Sequence, residues 1–127
     1  MNSFISFLTG LFILFADTSD IPYLAIEKAM KANDAKTIVQ LANEPVQLNI
    51  LGKEGAYNHS QAEMILDQFF TKNPKGDFVF VFKGKETSDG TFAIGKYTLK
   101  KDSLRLSFHF REIKSLSKLE SLTIEKE

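Results

Sequence analysis

The chain predicts an α+β fold in which helices precede and interrupt a curved antiparallel sheet and lie on its concave side. Two observations carry this: residues 60–74 read as one amphipathic helix with a marked end, and from Asp77 onward apolar residues recur at every second position. In that helix Ala62, Ile65, Leu66, Phe69 and Phe70 fall at i, i+3, i+4, i+7 and i+8, leaving Glu63, Asp67 and Thr71 to water. Ser60 and Glu63 have capping-box spacing, and Asn73-Pro74 ends the run because proline lacks an N–H and restricts the residue before it. A helix with a single apolar stripe needs a neighbour to lie on.

The other elements follow in order. Asp20 is placed to cap a helix over 21–32, with Pro22 in its first turn and Tyr23, Ile26, Ala29 and Met30 on one side. Asn33-Asp34 closes that helix and caps a second over 35–42, with Ile38 and Leu41 inward. Residues 45–51 alternate, placing Val46, Leu48 and Ile50 on one face of a half-buried strand. Gly52 and Gly55 bracket a turn, and Ala56-Tyr57 adds a brief paired strand before the marked helix.

Four antiparallel strands complete the chain, with Asp89-Gly90 in the first turn and Lys101-Asp102 between strands over 91–100 and 103–111; the last spans 118–126. A two-residue loop at Lys101-Asp102 would set Tyr97 opposite Leu106, Gly95 opposite Phe108 and Ala93 opposite Phe110. An even-length loop at Asp89-Gly90 puts Phe78, Phe80 and Phe82 on that same inner side. The missing side chain of Gly95 leaves room for a ring and lets the sheet bend.

Composition narrows the class. With 127 residues the chain is long enough for one core, and Lys plus Arg equal Asp plus Glu at 16 each, with no basic block to hold a nucleic acid or an anionic membrane. The absence of cysteine excludes disulfides, a thiolate nucleophile and Cys-ligated zinc. The apolar run at 4–16 has the length of a signal-peptide core and is too short to span a bilayer, so residues 1–19 are expected to direct export to a secreted or periplasmic destination. No basic residue precedes the run, and Leu14 stands where a small residue suits cleavage after Ala16. Residues 20–127 form a single domain on this reading.

The order of elements, with Asp20-Ile21-Pro22, residues 50–57, Ser60-Gln61-Ala62-Glu63, residues 69–74, Asp89-Gly90 with Ile94-Gly95, and Leu122-Thr123-Ile124-Glu125, resembles the nuclear transport factor 2-like (cystatin-like) superfamily. Within it the chain is most similar to a family of small secreted bacterial proteins of unknown function. The resemblance implies a cone-shaped α+β domain and an export signal. It leaves activity open, because that superfamily hosts isomerases, dehydratases, transport adaptors and plain binding domains.

Enzymes of the superfamily such as ketosteroid isomerase need a base inside the cone and a phenol or acid to stabilise an oxyanion. The inner rows here are aromatic and aliphatic, and Tyr97 is their only polar tip; a phenol, with an ordinary pKa of about 10, is a poor base alone. No catalytic residue, cofactor or metal is therefore assigned. His59 and Glu63 stand one helical turn apart without a third ligand, and residues 52–55 lack the Gly-Lys-Ser/Thr ending of a phosphate loop. Tyr57, Phe80, Phe82, Tyr97 and Phe108 are the candidates for lining a small apolar pocket at the cone's open end. The outer face carries more signal. Parity places Val79, Val81, Phe92 and Ile94 there beside Lys83, Lys96, Arg105 and His109, where a solvated sheet face would turn polar. The resulting expectation is an exported, non-enzymatic domain that binds a small apolar ligand or a protein partner, with a homodimer formed through Val79, Val81, Phe92, Ile94, Arg105 and His109. The alternative is an isomerase or dehydratase acting on a small apolar substrate through Tyr97 or Tyr57.

Overall fold

The computed structural model describes residues 21–127. The expected export signal and the Asp20 cap lie outside the described residues. Helices α1 (Tyr23–Ala32) and α2 (Ala35–Gln40) lead into strands β1 (Ala42–Ile50) and β2 (Lys53–Tyr57), then helix α3 (His59–Lys72), then strands β3 (Asp77–Lys83), β4 (Thr91–Thr98), β5 (Ser103–Ile113) and β6 (Leu116–Lys126). The six strands form one sheet in the order β2-β1-β6-β5-β4-β3. All neighbours are antiparallel except β1 and β6, whose parallel pairing brings the two ends of the strand sequence together.

The helices pack on the concave side, where one core joins Ile26 and Met30 of α1, Ile38 of α2, Leu66, Phe69 and Phe70 of α3, and Phe78, Tyr97, Leu106, Phe108, Leu122 and Ile124 of the sheet. Asn33 ends α1 in the left-handed conformation at φ 55°, and Asp34 caps α2 by accepting from the Thr37 N–H at 3.1 Å. Helix α2 stops at Gln40, two residues short of expectation, because Ala42 already belongs to β1, paired with Leu119.

Several expectations are corrected. The capping box of α3 is made by Asn58 and Gln61, two residues earlier than Ser60 and Glu63: Asn58 accepts from the Gln61 N–H at 2.8 Å and the Gln61 side chain accepts from the Asn58 N–H at 3.2 Å. Asn is among the strongest N-caps, and this start also gives the His59 N–H the Glu44 carboxylate as acceptor at 2.7 Å. The β1–β2 turn is Leu51-Gly52, both at positive φ, so β2 runs from Lys53 and Gly55 lies inside it. The β4–β5 connection is four residues rather than two, with the Leu99 N–H bonded to the Asp102 carbonyl at 2.8 Å. Tyr97 therefore opposes Leu104, Gly95 opposes Leu106 and Ala93 opposes Phe108. The pairing moves by two residues, so every side chain keeps its expected face. Lys114 and Ser115, again both at positive φ, make a tight hairpin between β5 and β6 that extends both strands beyond their predicted ends.

Strand β3 departs most. Phe80 pairs with Gly95, but Phe82 pairs with Ile94 and Lys83 with Ala93, leaving Val81 as an extra residue in a β-bulge. Phe82 consequently leaves the inner row and is 54% exposed, opposite outward-facing Ile94. Lys83, expected outside, turns in, and its ammonium lies 4.7 Å from the centroid of the Tyr23 ring.

Candidate functional site

The cone interior is filled by rings. Tyr23, Phe78, Phe80 and Phe108 meet edge to face or tilted, with centroids 5.0 to 6.0 Å apart. A Cβ on Gly95 would come within 2.3 Å of the Phe78 ring, so it is Phe78 rather than Phe108 that needs the missing side chain. Tyr97 is wholly buried, and its ring lies against Gly76, where a Cβ would approach to 2.4 Å. Its hydroxyl accepts from the Asn33 side-chain amide at 3.0 Å and the Gly76 N–H at 3.1 Å, and donates to the Asn73 carbonyl at 2.7 Å. That oxygen ties the end of α1 to the exit of α3 and the start of β3. Its partners are two amides and a carbonyl, none of which takes up a proton at neutral pH.

The five candidate pocket residues thus do not form one pocket, although Phe80 and Phe108 touch at 5.2 Å between ring centroids. Tyr97 and Phe108 are sealed in the core, Phe80 is half-buried against Tyr23, and Phe82 faces the opposite side of the sheet. Tyr57 stands elsewhere, beside a concavity of about 310 Å³ between the β1–β2 hairpin and α3. Burial raises the Tyr23 phenol above its ordinary pKa, with the Glu86 charge adding to it.

On the convex face the apolar cluster is present. Val79 is 48% exposed, Val81 60% and Phe92 61%, with Ile94 half-buried among them, and the bulge adds Phe82. The neighbouring charges are paired across strands: Arg105 with Glu125 at 2.6 Å, Arg111 with Glu120 at 2.6 Å and Lys96 with Glu127 at 3.6 Å. His109 stacks on Phe92 with centroids 4.4 Å apart, and its two ring nitrogens face the Glu120 carboxylate at 2.8 Å and the Asp89 carbonyl at 3.2 Å. The hydrogen bond from Arg111 is the main reason the Glu120 carboxyl lies below its ordinary pKa, against a smaller opposing effect of burial, with Arg111 and His109 charges assisting. Glu120 was not foreseen as part of this face. It reaches it through a second bulge, since His109 pairs with Ser121 while Phe110 pairs with Leu119. The signal was present as the three-residue spacing between inward Leu119 and Leu122. His59 Nε2 lies 3.0 Å from the Ala42 carbonyl, and no cluster of metal-ligating side chains occurs among the described residues.

Among the described residues, a curved six-stranded sheet with three helices in its concavity makes the cystatin-like, nuclear transport factor 2-like architecture. A domain of unknown function with a cystatin-like fold from Nostoc punctiforme matches at TM-score 0.65 and 9% identity, covering 81% of this chain and 71% of that one. An NTF2-like protein of unknown function from Shewanella baltica matches at TM-score 0.62 and 8% identity, covering 81% and 86%. Residues 24–125 match the family described as domain of unknown function DUF4783, and the chain belongs to that family. A DUF4783 protein from Bacteroides uniformis has TM-score 0.76 and 21% identity over 84% of this chain and 97% of that one. No curated protein matches the chain.

Proposed function

We propose that the protein is an exported, non-enzymatic binding domain that associates through the convex face of β3 and β4, with a second copy of itself as the partner. The observation that carries this reading is the contiguous group Val79, Val81, Phe82 and Phe92, each roughly half or more exposed on a face where antiparallel sheets ordinarily present polar residues to water. The charges around it favour self-association: Arg105, Arg111 and Lys96 are each matched by a glutamate. A surface with both signs interspersed does not repel its own copy across a two-fold axis. The isomerase or dehydratase alternative would need a carboxylate or histidine against a buried phenol, and the groups at the Tyr97 hydroxyl are amides and a carbonyl. Export rests on the apolar run at 4–16, and the first residue of protein recovered from the native host should fall between positions 17 and 21.

Sedimentation equilibrium tests the association. Ile94→Arg and Val81→Arg should shift dimer to monomer with unchanged circular dichroism, because a charge placed at the contact would be desolvated without a partner. A wild type already monomeric at high micromolar concentration would sink the homodimer. Unfolding by Ile94→Arg would mean that the residue belongs to the core.

A further inference from the structure

The concavity between the β1–β2 hairpin and α3 has an apolar interior and a cationic margin. Leu51 and Ile65 supply the exposed apolar surface over a floor of Ile50 and Phe69, Tyr57 stands beside them, and Lys53 and Lys72 approach from the two elements that enclose it. At about 310 Å³ it lies at the small end of ligand sites, which run from roughly 300 to 1,000 Å³. No aspartate or glutamate lines it, and neither lysine enters an ion pair among the described residues. The Tyr57 hydroxyl takes no hydrogen bond from a described residue, and its ring is laid over its own strand at Gly55, where a Cβ would come within 2.5 Å of the hydroxyl oxygen. In a chain of zero formal net charge, two ammonium groups and a phenol without partners among the described residues, gathered at one apolar recess, are a local excess of donors.

We propose that this recess binds a small amphipathic carboxylate, its hydrocarbon part against Leu51 and Ile65 above the buried Ile50 and Phe69, and its carboxylate between Lys53, Lys72 and the Tyr57 hydroxyl. The larger concavity, about 510 Å³ along the solvent side of α3, does not suit such a ligand, because Glu63 and Asp67 line it. The proposal uses none of the residues of the convex face, so it stands or falls independently of the dimer.

The experiment is a backbone-amide NMR titration of the full chain with octanoate, and in parallel with octanol as its uncharged counterpart. Octanoate should give saturable shifts centred on Lys53, Tyr57, Gln68 and Asn73, with affinity about tenfold above octanol, as charge-assisted hydrogen bonds at a partly open rim supply. The double variant Lys53→Gln/Lys72→Gln should weaken octanoate by about tenfold and leave octanol and the melting temperature unmoved. Shifts that fail to saturate, equal affinity for the two probes, a double variant that binds octanoate as the wild type does, or shifts centred on Val81 and Phe92 would each overturn the assignment.

Discussion

On the concave side of β4, Thr91, Ala93, Gly95 and Tyr97 are all buried, whereas on the convex side of the same strand Phe92 is 61% exposed and Ile94 only half-covered. The inner residues are specified by space: Gly95 by the Phe78 ring, Ala93 by complete enclosure, Tyr97 by a slot over Gly76 and three hydrogen-bonding partners. Outside, Phe92 rests only one face on the His109 ring and Val81 stays mostly open to water. Inner side chains on this strand are specified by the space around them, and outer ones are not.

That contrast can be broken by substitution. Phe108→Ala should have the largest effect, about 3–5 kcal/mol in denaturant unfolding, since it empties a ring site with no exposed surface. A loss below about 1 kcal/mol would show that the cone interior relaxes and is not the tightly filled space described. Tyr97→Phe keeps the ring and removes the oxygen, stranding two N–H donors and a carbonyl; it should cost about 1–3 kcal/mol, and an unchanged unfolding midpoint would deny the hydroxyl its tethering role.

The convex face should respond more weakly. Because the Glu120 carboxyl is depressed in the folded protein, its contribution is present above the unfolded value, near 4.5, and is lost as pH falls through the folded value below it. Melting temperatures between pH 6 and pH 3 should therefore decline less steeply for Glu120→Gln than for the wild type, with a difference of about 1 kcal/mol or less for such a partly exposed pair. Parallel profiles would remove Glu120 from the acid response. Smallest of all, Phe92→Ala should cost about 1 kcal/mol or less when unfolding is followed on dilute protein, where association does not contribute. A cost matching that of Phe108→Ala would erase the distinction between the two faces.

Much of the fold was legible because parity survives errors of two. The β4–β5 loop was read two residues too short, yet both lengths are even, and the inner and outer rows of β4 and β5 came out as observed. Leu119 and Leu122 marked the β6 bulge by breaking a period of two. The β3 bulge left no mark, because residues 78–82 read Phe-Val-Phe-Val-Phe and the pattern is equally apolar in either register. The parallel pairing of β1 with β6 joins Gln47 to Ser121 and Ile50 to Ile124, contacts across most of the chain that no local pattern encodes. The cap at Asn58 is masked in the sequence by Ser60 and Glu63, which offer the same spacing two residues later. The recess at Tyr57 was invisible for a related reason: its lysines come from separate elements and meet only once α3 lies beside the hairpin.

The bulge at Val81 has a bearing on how far association can go. Strand β3 is one edge of the sheet and β2, only five residues long, is the other. A straight edge offers a repeating row of N–H and C=O groups on which further strands can add without limit. Val81 interrupts that row where it would otherwise run unbroken through β3, and β2 is too short to extend a ladder far. Excising Val81 would regularise the pairing and leave Phe82 outward and Lys83 inward, so the extra residue is not needed to orient its neighbours. With Val81 in place and β2 so short, both borders of the sheet are poor templates for further strands and resist growth into a fibre.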